Sequence, residues 1–304
     1  MAQGTALLES YLAPLEPYLK HPDIIDVCIQ EEGVVRLQTI HGNPPWIVKR
    51  DKAITFRLLN HLAEQLAVST GQKFHNVEHP RLSTSIPGYG YRVQILGSGV
   101  VGCGFAMSIR VAKARRFPLS HYFNAEDEAY VRNAIERGTL ILIVGGTGSG
   151  KTTLMNSLLE CFPEDHRIFT IEDAKELVPT QKNVVDILVS KNKTDVAKYS
   201  YEDAIDDALR MNPDAILLGE ITVGNSEPFL NLSNTGHGTS MATLHAKIVS
   251  PDWAFRRIAL NCQMSKETPA NFESMYVQAK ESIELVITAE RKGPEFQIKL
   301  HKDL

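Results

Sequence analysis

The stretch Leu140–Thr153, LILIVGGTGSGKTT, constrains this chain more than any other. A continuous apolar run of strand length, without polar alternation, belongs in a parallel sheet covered on both faces. It leads into GGTGSGKTT at residues 145–153, which satisfies G-x-x-x-x-G-K-[ST], and a helix-compatible TLMNSLLECF follows. The chemistry calls for these residue types. Gly145, Gly146, Gly148 and Gly150, with Thr147 and Ser149 between them, let backbone N–H groups close around phosphate oxygens. The helix after Lys151 turns its positive end toward the same anion, with Thr153 in its first turn. Lys151 is placed to reach the β and γ phosphates, and the Thr152 hydroxyl to ligate magnesium. The expected ligand of Gly145–Thr152 is ATP.

The 304 residues suffice for two domains with a sizeable core each. With 43% hydrophobic and 22% charged residues, the chain has a globular profile. A net charge of -4 argues against nucleic acid bound along the whole surface, leaving only a local basic patch for that role. Cys28, Cys103, Cys161 and Cys262 are far apart and form no C-x-x-C pair. They read as structural thiols of a reducing compartment, without zinc or a disulfide framework. The N-terminal MAQGTALLESYLAPLEP is no secretory signal, and no run approaches the ~18 apolar residues of a membrane span. A cytoplasmic protein that meets membranes only through partners is the expectation.

Residues 1–110 predict an α+β domain with an antiparallel sheet. Thr5–Ala13 is apolar at helical spacing, and Pro14 and Pro17 make a straight continuation costly. Strands are expected at 25–29 and 34–40, a helix over 51–68 with Ile54, Leu58, Leu62 and Leu66 on one stripe, and strands at 81–86, 91–96 and 105–111. The basic VAKARRFPLSHYF at 111–123 reads as an interdomain linker. From residue 124 to 304, helices and buried strands alternate in an α/β nucleotide-binding pattern. Asn124 and Ser200 are expected helix caps, the latter with Asp203 in a capping box. Strands are expected at 167–172, 184–189, 215–218 and 240–244.

Three later segments carry further chemistry. Glu172 and Asp173 end a predicted strand at the edge where ligands of parallel sheets sit, so Glu172 is a candidate to orient or deprotonate water. PDAILLGEI at 213–221 resembles a Walker B strand that ends in Gly219-Glu220 and lacks the usual aspartate. Glu220 is thereby assigned to magnesium, to the base role, or to both. In TGHGTSMATLHA at 235–246, His237 lies between glycines, and His245 follows a strand and is placed to sense the γ-phosphate.

These segments, in this order, resemble the secretion ATPase superfamily, and LRMNPD before the Walker B strand favours its VirB-type branch, that of type IV secretion and conjugation ATPases. The likeness is strong over 124–246, looser over 75–111 and only in outline before residue 70. It implies an N-terminal α+β domain joined to a P-loop (RecA-like) ATPase domain. It also implies a homohexameric ring that hydrolyses ATP with magnesium, and nucleotide held between the domains. Arg92 and Arg110 stand where the family brings N-domain arginines toward the terminal phosphate. Implied partners are inner-membrane secretion-channel proteins and other secretion ATPases, with substrate protein or DNA met indirectly. Two departures stand out: Thr222 replaces an arginine, and Gly238 replaces a proline in a change expected to be neutral. Other readings are a pilus or type II secretion motor, a nucleotide-gated scaffold, and a small-molecule kinase. The kinase reading lacks an arginine-rich lid segment and leaves the N-terminal domain unexplained.

Overall fold

The computed structural model describes residues 2–40, 44–111, 116–173, 175–189, 199–234, 236, 238–265, 271–292 and 295–302. The chain divides into two compact units, with the boundary between residues 113 and 114.

The first unit opens with helices α1 (Ala2–Leu12) and α2 (Glu16–Leu19), joined by a 3-10 turn at Ala13–Leu15. Pro14 and Pro17 fall in the first turns of these short elements, where a missing N–H leaves no hydrogen bond unmade. The prolines therefore divide the helix without ending helical structure. Strands β1 (Ile24–Glu31), β2 (Val34–Thr39) and β3 (Ile47–Arg50) precede helix α3 (Phe56–Ser69). Strands β4 (Arg81–Ser85), β5 (Arg92–Gly97) and β6 (Phe105–Arg110) complete an antiparallel sheet of order β3-β2-β1-β6-β5-β4. Helix α3 starts five residues later than its hydrophobic stripe suggests. The Asp51 carboxylate accepts from Ala53 N–H, which makes a turn, and the Thr55 hydroxyl caps the helix by accepting from Leu58 N–H at 3.1 Å. Ile54 is fully buried, but from that turn rather than from the helix.

The second unit contains α4 (Ala125–Glu136), β7 (Leu140–Gly145), α5 (Lys151–Leu158), β8 (Arg167–Glu172), β9 (Asn183–Leu188), α6 (Tyr201–Arg210) and β10 (Ala215–Leu218). It continues with α7 (Ser226–Asn231), β11 (Ser240–His245), α8 (Pro251–Met264), α9 (Phe272–Ser282), β12 (Leu285–Lys292) and β13 (Glu295–His301). The sheet order is β13-β12-β7-β11-β10-β8-β9, parallel except for β13. Helices cover both faces, which explains the unbroken apolar run of β7. Leu140, Leu142 and Val144 enter one core, while Ile141 and Ile143 enter the core on the opposite face. Each such buried side chain contributes about 1.5–3 kcal/mol. The Asn124 and Ser200 caps form as expected, Ser200 with the full capping box. Of the segment read as a linker, residues 116–123 are no free tether. Leu119 and Phe123 are buried in the core of the second unit, and Phe117 N–H donates to the Ser157 hydroxyl at 3.0 Å.

Gly238 corrects the expectation of neutrality. A Cβ on it would lie 2.1 Å from the Asp214 carbonyl oxygen. Helix α4 ends at Gly138 with φ +79°, and a Cβ there would sit 3.5 Å from the Gly238 Cα. Two glycines thus let the turn before β7 and the turn before β11 pass each other. We expect Gly238→Ala to lower stability by about 1–3 kcal/mol, as forced overpacking does. Gly102→Ala, with nothing within 4 Å of the new methyl group, should stay near parental stability in the same thermal unfolding experiment.

Candidate nucleotide site

Lys151, Glu172, Glu220 and His245 stand at or just beyond the carboxyl ends of the second unit's parallel strands. Strand β7 sits between β11 and β12. Gly145 pairs with His245 on one side and Ala289 on the other. A Cβ on Gly145 would lie 2.2 Å from the Ala289 carbonyl oxygen and 2.5 Å from the Ser149 hydroxyl. Glycine is therefore required where the loop leaves the sheet. Gly148 and Gly150 adopt φ +70° and +84°, which L side chains rarely adopt, and Gly150 is the N-cap of α5. The loop curls so that its own first carbonyls face Lys151. The Lys151 ammonium donates to Gly145 O at 2.9 Å and Gly146 O at 2.8 Å. Burial lowers the lysine pKa, and the charges of Glu220 and Glu176 oppose that shift.

Glu172 ends β8 and is only 2% exposed. Its carboxyl group accepts from Glu176 N–H at 3.1 Å and Leu177 N–H at 3.0 Å. Burial pushes its pKa up to about 8, more than these backbone hydrogen bonds lower it. The same side chain explains the Gly-Glu ending of the next strand. A Cβ on Gly219 would lie 3.2 Å from Glu172 Cγ, so a side chain at 219 would press against the buried glutamate. Asp173, beside it, is half-buried. Glu220 follows beyond β10, half-buried.

The loop carrying Glu220 is held to β11. The Thr243 hydroxyl donates to Gly219 O at 2.6 Å, and Ile221 N–H donates to Thr243 O at 2.7 Å. Thr243 escapes a reading of the sequence because it looks like any strand threonine. Its one signal is that it stands two residues before His245. His245 is exposed at the end of β11, its Nδ1 3.4 Å from the Thr147 hydroxyl. A cleft of about 530 Å³ opens beside the loop, lined by Gly146, Thr147, Ser149, His245, Glu290 and Arg291. Glu290 and Arg291 come from β12, which no motif marks. Thr152 and Thr153 lie half-buried in the first turn of α5. His237 lies outside the described residues.

Arg92 and Arg110 belong to the first unit. They are direct cross-strand partners of β5 and β6, and Arg110 also pairs with Asp26 of β1. The Arg110 guanidinium donates to the Asp26 carboxylate at 2.7 Å. Burial raises the Asp26 pKa and the arginine counters it.

Thr152 and Glu220 offer the hard oxygen donors that magnesium prefers. Among the described residues no group of three or more His, Cys, Asp or Glu side chains forms a metal cage. Such a sparse donor set suits an ion held mainly by phosphates and water. All four cysteines are free thiols, and no helix of the described residues is long and apolar enough to cross a membrane.

This geometry matches known proteins. The family model described as "Type II/IV secretion system protein" matches residues 50–283. The type IV secretion system protein PtlH homolog of Bordetella bronchiseptica is 30% identical over 322 residues, covering 95% of this chain and 91% of that protein. The type IV secretion system protein VirB11 of Bartonella quintana is 29% identical over 283 residues, covering 80% and 78%. The crystal structure of the VirB11 ATPase from the Brucella suis type IV secretion system shares the fold, with a TM-score of 0.51 at 24% identity over 99% of this chain and 96% of that one. The phosphate loop, the Gly-Glu ending and the strand leading to His245 stand at the edge of one sheet, in a chain matched along most of its length. The chain therefore belongs to the Type II/IV secretion system protein family, as a VirB-type secretion ATPase.

Proposed function

We propose that this secretion ATPase drives a type IV secretion or conjugation apparatus by hydrolysing ATP in a homohexameric ring, each turnover closing and reopening its two domains. The proposed domains are residues 1–110 and 124–304. The observation that carries the proposal is the gathering of Lys151, Glu172, Glu220 and His245 at one sheet edge around a curled glycine loop. ATP would lie with its phosphates in the loop 145–153. The Lys151 ammonium would exchange the Gly145 and Gly146 carbonyls for phosphate oxygens. Phosphate charge would then offset the desolvation that lowers the lysine pKa. His245, beside Thr147, would hydrogen-bond the terminal phosphate. Arg92 and Arg110 would approach that phosphate on domain closure and neutralise transferred charge.

Thr152 and Glu220 would hold magnesium, which when bound polarises the phosphates. Of the two acids, Glu220 is the one we assign to water. Glu172, with its pKa near 8, keeps its proton at neutral pH. It would act as a neutral group that fixes the ends of β8 and β10 and acquires base strength only above that value. We place the protein in the cytoplasm, peripheral to the inner membrane through channel proteins and other secretion ATPases, with DNA or protein substrate met indirectly.

Four measurements test this reading. Lys151→Ala should abolish ATP binding or turnover, and Glu220→Gln should bind ATP while losing turnover by about a hundredfold or more. Parental turnover by Glu220→Gln would remove its assigned role. Glu172 tests itself through stability. Its proton is held to about pH 8 in the folded chain, against an ordinary value of 4.5. Between those values the unfolded chain has shed the proton and the folded chain keeps it, so this group lowers stability as pH rises toward 8. Glu172→Gln lacks that penalty. Its stability relative to the parent, read from unfolding curves, should rise from about pH 5 to about pH 9, with a slope of at most about 1.4 kcal/mol per pH unit. Light scattering with and without ATP should show the ring, and a strict monomer in both conditions would overturn it.

A further inference from the structure

Thr222 stands where the family resemblance places an arginine, and in this chain the Glu220 loop beside it is held by nearby groups through main-chain hydrogen bonds. One of these groups is Asn225. It is fully buried, yet it lies in an irregular segment just before α7. Its two polar ends clasp the main chain on either side of Ile221. Asn225 Nδ2 donates to the Glu220 carbonyl at 2.8 Å, and Asn225 Oδ1 accepts from Thr222 N–H at 2.6 Å. The partners fix the amide's orientation, because a carbonyl needs a donor and an N–H needs an acceptor.

The clasp is itself anchored. The Ser226 hydroxyl donates to Thr222 O at 2.7 Å, and buried Asn261 of α8 donates to the Ser226 hydroxyl at 3.0 Å. From the other side, the Thr243 hydroxyl holds Gly219 O and the Thr243 carbonyl holds Ile221 N–H. The backbone bearing Glu220 is thus gripped from β11 on one side and from the start of α7 on the other. We propose that Asn225 is a positioning residue for ATP hydrolysis that acts through Glu220, a role that rests on Glu220 being the acid assigned to water above.

The prediction separates positioning from ordinary structural support. Asn225→Asp is nearly isosteric and keeps the acceptor for Thr222 N–H. It sets a carboxylate oxygen against the Glu220 carbonyl, where a donor stood. In the full chain it should lower kcat by between about ten- and a hundredfold, the scale on which a small misplacement of a catalytic group acts, with KM and ATP affinity unchanged. Asn225→Ala, which loses both hydrogen bonds, should fall at least as far. Melting temperatures and nucleotide binding establish that each variant is folded.

The decisive comparison adds Asn225→Asp to Glu220→Gln. A residue acting through Glu220 has little left to remove, so the double variant should match Glu220→Gln alone within about twofold. An equal loss in both backgrounds, a rise in KM in place of the fall in kcat, or parental kcat in Asn225→Asp would each overturn the proposal. A Glu220→Gln variant with parental turnover would overturn it too, by removing the reading on which it rests.

Discussion

The rest of the site depends on one close approach. The main chain of β12 passes Gly145 so tightly that a methyl group there would overlap the Ala289 carbonyl. Beyond Gly145 the chain curls back on itself. Positive φ at Gly148 and Gly150 completes the curl and brings Lys151 back over the loop's first carbonyls.

A second exclusion sets the carboxylates. A side chain at 219 would press against the buried Glu172. Burial there, outweighing the backbone N–H donors of Glu176 and Leu177, raises its pKa to about 8. Glu220, one residue further, stands half-buried where its charge acts on Lys151. Two glutamates a strand apart thus meet different surroundings, and the burial that holds a proton on Glu172 to about pH 8 underlies their proposed division of labour.

Much of this was legible in the residues because it is local. The apolar run of β7, the glycine spacing of 145–150 and the caps at Asn124 and Ser200 each report a backbone need met within a few positions. The N-terminal α+β and C-terminal P-loop architecture was legible for the same reason. What the residues hid is non-local or ambiguous. The turn at Asp51–Thr55 shares its hydrophobic stripe with the helix it precedes, so periodicity alone could not separate them. The prolines at 14 and 17 break a long helix but begin short ones equally well. Gly238 looked interchangeable with proline, but the Asp214 carbonyl, distant in sequence and brought close by the fold, leaves no room for a Cβ there. Thr243 acts through a carbonyl 24 residues away in sequence, a distance no motif spans.

The charge balance at the loop shows why these non-local contacts matter. Lys151 is a buried ammonium, and burial alone would favour losing its proton. The charges of Glu220 and Glu176 counter that loss, while its hydrogen bonds go to the two loop carbonyls. A triphosphate offers the same ammonium a far stronger partner than a peptide carbonyl, because both groups are charged. Exchanging one for the other frees the carbonyls of Gly145 and Gly146, which are continuous with β7. Gly145 O also accepts from Ala246 N–H, next to His245. The residue proposed to bind phosphate and the strand end proposed to sense it therefore share one carbonyl, a short covalent and hydrogen-bonded link between Lys151 and His245.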